Sequence, residues 1–220
     1  MPLSHHPTTE LLWSYAVGNL EPASAVVVAT HLALCPKCRR ETATMEATAG
    51  EMFESIDAAP VDNGALERLM ARVDGEGASA AVRPPPPARP INPPYPRPLR
   101  DYLDQGEPSA WRRLADGVEA ADVNISNGGR RVRLLRVQPG RRLPRHGHGG
   151  DELTLVLAGG YRNENGAFAR GDVECADQSV IHEPVADLGD PCICLTATRG
   201  PMVPTAVLSW IAQRISRLWS

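Results

Sequence analysis

Five of the six histidines in this 220-residue chain can be placed in two groups with metal-ligand spacing. One group mixes imidazole with thiol: His31, Cys35 and Cys38, with His5 and His6 upstream as the candidates for a fourth ligand. The other mixes imidazole with carboxylate: His146, His148, Glu152 and His182. Two thiolates with two imidazoles form a closed, structural zinc site. Three imidazoles with a carboxylate hold zinc, iron, manganese or nickel and leave positions open. The two groups therefore point to different tasks, a scaffold and a centre that can exchange ligands.

The elements that would position these side chains follow from the spacing. His31 and Cys35 are four apart and project from one face of a helix. Pro36 breaks that helix, so Cys35 ends it while Cys38 falls in the first turn of the next, where terminal amides favour a thiolate. His146, His148 and Glu152 lie at even offsets and can share one strand face, which a barrel interior could collect. Cys192 and Cys194 also share a strand face, as redox-responsive thiols or as small core residues. Cys175 reads as core.

Four helices are expected before residue 80. Thr8-Thr9-Glu10 opens the first, with Leu11, Leu12, Tyr15 and Ala16 on one side and Gly18-Asn19 as its stop. The second runs from Pro22 through Val28 and Leu32 to Cys35, and the third starts at Pro36 and carries Met45, Met52, Phe53 and Ile56. The fourth, about 62 to 74, places Leu66, Leu69, Met70 and Val73 on one stripe. Residues 83–98 contain nine prolines and predict an extended spacer between separately oriented units. Short strands follow at Val132 to Val137, Glu152 to Leu157 and Cys192 to Thr198, closed by turn signals and without intervening helices. This is an antiparallel barrel or sandwich pattern. The tail from Thr205 reads as a helix, with Leu208, Ile211, Ile215 and Leu218 on one face.

Composition sets further bounds. No apolar run approaches the roughly 20 residues of a membrane-spanning helix, and no cleavable signal is evident, which predicts a cytoplasmic protein with no membrane association. The odd count of five cysteines fits reduced ligands and free thiols rather than a disulfide framework. Residues 1–80 carry 11 acidic and 5 basic side chains, and 81–220 carry 15 and 18, giving −6 and +3. An acidic helical domain is a poor nucleic-acid binder; it could face a basic protein partner or simply present a solvated acidic surface. The arginines at 130–145 flank strands and do not line a recognition helix, so no direct nucleic-acid contact is expected.

His31, Cys35 and Cys38 match the H-x3-C-x2-C signature of the zinc-binding anti-sigma factors, which the N-terminal segment resembles. That resemblance selects His6 over His5 as the upstream ligand. Gly140-x5-His146-x-His148-x3-Glu152-x6-Gly159 resembles the first cupin motif at every spaced position. The second cupin motif keeps Gly171 and His182, but Asp177 stands where proline is usual, Ser179 replaces glycine and Ala186 replaces asparagine. A zinc module followed by a cupin resembles the ChrR type of anti-sigma factor over nearly the whole chain. The implied fold is multidomain α + β: a four-helix zinc domain (1–80), a proline-rich linker (81–98), an antiparallel β-barrel cupin (99–200) and a C-terminal helix (201–220).

The resemblance implies a non-enzyme that sequesters an extracytoplasmic-function sigma factor through its zinc domain. Release would follow singlet oxygen or organic hydroperoxide sensed by the cupin. Zn2+ is implied at His6, His31, Cys35 and Cys38, and Zn2+ or another divalent transition metal at His146, His148, Glu152 and His182. Val26, Val27, Met45, Met52 and Phe53 are candidates for the sigma contact, and most could equally be intramolecular core. The competing reading is a metal-dependent cupin dioxygenase with an accessory zinc module.

Overall fold

A computed structural model of the chain describes residues 3–77, 95–103, 108, 110–125 and 129–205. The helical region comprises α1 (Thr9–Ala16), α2 (Pro22–Leu34), α3 (Pro36–Glu54) and α4 (Ala65–Gly77). Local chemistry sets their starts. Thr8 Oγ1 accepts from the Leu11 amide at 3.3 Å, and the Glu21 carboxylate accepts from the Ala23 and Ser24 amides at 3.1 and 2.8 Å. The Cys35 sulfur caps α3 by accepting from the Cys38 amide at 3.4 Å. Leu12, Val28, Leu32, Cys35 and Cys38 form a small core beneath α1 to α3.

Most of the proline-rich segment lies outside the described residues, but its end departs from a bare spacer. Tyr95 is buried, and a short helix α5 (Arg97–Arg100) buries Leu99. Both join the apolar cluster that holds Ala23, Val26 and Val27 of α2 together with Leu155, Val173 and Leu195 of the following sheet. The helical region is therefore seated on the β region. The independent units suggested by the prolines are not what forms. The reason lies in α2, whose three consecutive valines serve two cores: Val28 faces the small helical core, while Val26 and Val27 face the sheet.

Eleven strands follow among the described residues. They are β1 (Arg112–Ala115), β2 (Val118–Asp122), β3 (Arg131–Val137), β4 (His146–His148), β5 (Glu152–Ala158), β6 (Gly160–Asn163), β7 (Gly166–Ala169), β8 (Val173–Ala176), β9 (Val185–Ala186), β10 (Cys192–Thr198) and β11 (Met202–Pro204). All pairings are antiparallel. A single closed barrel does not form. The strands make a six-stranded sheet in the order β1-β2-β3-β10-β5-β8, a β7-β6-β9 sheet and a β11-β4 pair. Isolated bridges, Arg142 with Val185 and His146 with His182, link segments outside these ladders. Gly159 makes the tight β5–β6 corner at φ 62°, where a Cβ would lie 2.8 Å from the Pro191 carbonyl oxygen. Past residue 200 the chain is not helical at first: β11 pairs with β4, setting Met202 opposite His148 and Pro204 opposite His146. The expected terminal helix with Leu208, Ile211, Ile215 and Leu218 lies outside the described residues.

Candidate metal centres

The donor atoms of His6, His31, Cys35 and Cys38 lie within 4.8 Å of one another. His6 Nδ1 sits 3.6 Å from the Cys35 sulfur and 3.4 Å from that of Cys38. His31, fully buried on α2, donates from Nδ1 to the Gly171 carbonyl at 2.8 Å. That bond fixes its tautomer and leaves Nε2 as an unprotonated donor, buried and with no hydrogen-bond partner in the protein. A tetrahedral divalent cation such as zinc would satisfy that orphaned nitrogen, and the two sulfurs and two nitrogens suit it. Burial and the neighbouring Cys35 push the Cys38 thiol up to about 12. Adjacent thiolates are thus costly without a cation, and metal binding would drive the deprotonation. His5 turns away, stacking its ring on Phe168 at 4.2 Å.

The second centre forms where β4 meets the loop before β9. His146 and His148 alternate around Gly147 onto one face, and reciprocal amide bonds of 3.0 Å tie His146 to His182. The three Nε2 atoms converge, His182 lying 3.1 Å from His146 and 3.2 Å from His148. Burial lowers the pKa of both His146 and His148, so neutral imidazoles face each other. Nitrogens this close, with Nε2 lone pairs pointing inward, fit a bound cation. His146 Nδ1 donates to the Pro144 carbonyl at 2.8 Å, which selects the ligating tautomer.

Glu152 stands apart from this triad. It belongs to the wall of the same cavity, but its carboxylate accepts from Thr154 Oγ1 at 3.1 Å and is not grouped with the three histidines. Burial raises its pKa against the opposing influence of His146. The carboxylate that does contact a triad member is Glu174 on β8, absent from the spacing motif. It lies 3.3 Å from His182 Nδ1, which also sits 2.9 Å from Asn163 Nδ2, and accepts from Asn163 Nδ2 at 2.8 Å, from Asn165 Nδ2 at 3.0 Å and from the Tyr161 hydroxyl at 2.7 Å. Burial pushes its carboxyl upward, but those hydrogen bonds bring it down to about 2.

The cavity beside the triad is walled mainly by apolar side chains, Val118, Leu135, Val137 and Leu143 among them, with Arg133, Glu152 and Glu174 as charged members. Cys192 and Cys194 line it too, as free thiols whose sulfurs are hydrogen-bonded at 3.6 Å. The hydrogen bond from Cys192 and burial hold the Cys194 thiol well above its ordinary range. In the degraded second motif, Asp177 and Ser179 make their own turn: Asp177 Oδ1 accepts from the Ser179 amide at 2.8 Å. Ala186 is buried opposite Tyr161, where an asparagine would need a polar partner. The arginines at 130–145 are largely committed to acids: Arg131 to Asp122, Arg136 to Glu119, Arg141 to Asp116, Arg142 to Glu183 and Arg145 to Glu164.

A zinc-finger family model matches residues 7–39, and the ChrR cupin-like domain model matches residues 101–202. The anti-sigma-E factor ChrR of Cereibacter sphaeroides is 40% identical over 220 residues, covering 99% of this chain and 100% of that one. The chain belongs to the ChrR-type anti-sigma factors. The crystal structure of Rhodobacter sphaeroides SigE in complex with the anti-sigma ChrR superposes with a TM-score of 0.75 at 38% identity, covering 89% of this chain and 98% of that chain. The ChrR-type resemblance read from the motifs is therefore correct, down to the order of the two domains. No helix among the described residues is long and apolar enough to cross a membrane.

Of the residues proposed for partner contact, the structure separates two kinds. Val26 and Val27 are buried against the sheet and Met45 is partly buried in the helical core, whereas Met52 and Phe53 are 66% and 73% exposed. Helical periodicity could not make this distinction, because the cover over Val26 and Val27 comes from another domain. Glu174 was missed because its partners are brought together only by the fold.

Proposed function

We propose that this chain sequesters an extracytoplasmic-function sigma factor through the second half of α3 and through α4, and that the cupin centre governs release under oxidative stress. The observation that carries this reading is α4: Leu66, Leu69, Met70 and Val73 occupy one stripe and are each at least half exposed. Met52, Phe53 and Ile56 at the end of α3, and Val61 between the helices, extend the same apolar character. Among the described residues nothing covers these apolar side chains of α3, α4 and the loop between them, and in this number they mark an interaction surface. The related ChrR is found in complex with SigE. Zn2+ at His6, His31, Cys35 and Cys38 would fix α2 against α3 and so the base from which α4 departs. Zn2+ or another divalent transition metal would occupy the cupin centre, where His146, His148 and His182 supply three donors and Glu152, in the wall of the same cavity, would supply a fourth. Buried imidazoles and the Cys192–Cys194 pair beside them are oxidisable groups in one cavity. The protein would act in the cytoplasm, where sigma factors work.

The test is co-expression of the full chain with the cognate sigma factor, then metal analysis and transcription from a sigma-dependent promoter. A stable complex that silences transcription supports the reading. A purified, zinc-loaded chain that neither binds nor inhibits would remove it. The dioxygenase alternative has no comparable support, because it leaves the exposed apolar side chains of α3 and α4 without a purpose.

A further inference from the structure

The zinc-site ligands of the helical region are held partly by the cupin region. Gly171, Asp172 and Val173, leading into β8, make these contacts. The Gly171 carbonyl takes the His31 Nδ1 proton at 2.8 Å. Asp172, 3% exposed, accepts from the Ser4 and His5 amides through one oxygen, at 2.8 and 3.0 Å, and from the Ala169 amide through the other at 2.9 Å. The Val173 amide donates to the His5 carbonyl at 3.2 Å. The Leu3 side chain occupies the space beside Gly171, where a Cβ would lie 2.7 Å from Leu3 Cδ2, and Gly171 has φ 98°. The segment that delivers His6 is thus laid along the start of β8, and His31 is oriented from the same place.

Strand alternation then sends the next residue to the other side. Val173 packs in the apolar cluster with Val26 and Val27 of α2, while Glu174 faces the cavity and lies 3.3 Å from His182 Nδ1. A second route runs parallel: Tyr161 donates to Glu174 and stacks on Phe168 at 5.0 Å, and Phe168 stacks on His5. Four consecutive residues, 171 to 174, thereby touch ligands or ligand-bearing segments of both centres.

We infer that Asp172 and Glu174 are positioning residues that couple the two metal centres through β8, so that the state of the cupin centre alters the hold on the zinc ligands His6 and His31. The inference deepens the proposed function by naming a path for the signal, and it rests on that reading for its biological purpose, though not for its measurement. A segment held on one side through Asp172 and on the other through Glu174 converts a shift of His182 into a shift of the Leu3–His6 segment. The coupling is reciprocal, since each site must alter the other's affinity by the same factor.

The probe is cobalt(II), titrated into the full metal-free chain. Only the site with two thiolates gives a sulfur-to-cobalt charge-transfer band, so that band reports the His6 site alone. Replacing His146 and His148 together by alanine empties the cupin centre without touching β8. The expected result is a thiolate-site affinity that differs at least about fivefold between the wild type and this double variant. In an Asp172→Ala background the difference should disappear. Asp172→Asn keeps an acceptor for the Ser4 and His5 amides and should restore it. Should Asp172→Ala fail to fold by circular dichroism, Glu174→Gln serves in its place, with occupancy of its cupin centre confirmed by metal analysis, and should also abolish the difference. Equal affinities in the wild type and the emptied variant would overturn the inference, as would a difference that survives Asp172→Ala or Glu174→Gln. Because no sigma factor enters the titration, failure of the sigma reading would leave this result intact, and the converse also holds.

Discussion

At the scale of single residues, the two centres differ in what their side chains are asked to do. Cys35 and Cys38 close a buried donor cluster where a bound zinc would contribute folding energy directly, on the order of 10 kcal/mol for small zinc modules. Cys35→Ser should remove one metal equivalent per chain, measured by elemental analysis of purified protein, and abolish sigma binding. His182 depends instead on Glu174 to present its free nitrogen. Glu174→Gln should lower cupin-site metal affinity about 10- to 100-fold while leaving the thiolate site loaded, read by competition against a chelator. The Glu174 carboxyl, held at about 2 against an ordinary 4.5, adds stability that is complete above pH 4.5 and lost as pH falls toward 2. An acid-unfolding curve should therefore lose part of its low-pH limb in Glu174→Gln. The His31, Cys35 and Cys38 cluster was legible in the sequence because a helix imposes its spacing locally. His6 needed the family resemblance to separate it from His5, and Glu174 left no sequence signal because its four partners lie between 8 and 13 positions away in chain order.

At the scale of elements, α2 and α4 read alike as amphipathic helices but play opposite parts. In α2, Val27 is fully buried under the sheet, and Val27→Asp would place an unpaired charge in the core at a cost of about 3 kcal/mol or more. In α4, Leu69 and Met70 are 54% and 50% exposed, so Leu69→Asp with Met70→Asp should change the chain's own stability by no more than about 1 kcal/mol. Thermal unfolding of the two variants should show that contrast, with only the α2 change lowering the midpoint by many degrees. Element types were legible from periodicity and turn chemistry, including the starts at Pro22 and Pro36. What periodicity leaves open is which partner covers an apolar stripe. The seating of α2 on the sheet and the three-sheet arrangement of the β region are both long-range outcomes of this kind.

At the scale of the whole molecule, the segment carrying His6, the α2 helix and the cupin strand β8 form one packed unit rather than two beads on a proline string. Glu21, the cap of α2, reinforces the seam by pairing with Arg130 at 2.7 Å, and Arg130 also pairs with Asp151. The exposed apolar side chains of α3 and α4 lie outside this unit's cores, so the proposed sigma contact and the proposed signal entry fall on different parts of the chain. Stripping metal from the whole protein should therefore remove sigma binding, whereas emptying the cupin centre alone with His146→Ala should spare binding and weaken the response to oxidants. Promoter output in cells carrying each variant would check this. The most direct test of the central claim is calorimetric titration of the full, zinc-loaded chain with its purified sigma factor. A one-to-one complex with a dissociation constant below about 1 µM is expected, weakened at least about tenfold by Leu69→Asp with Met70→Asp. Absence of binding, or undiminished binding by that variant, would contradict the account.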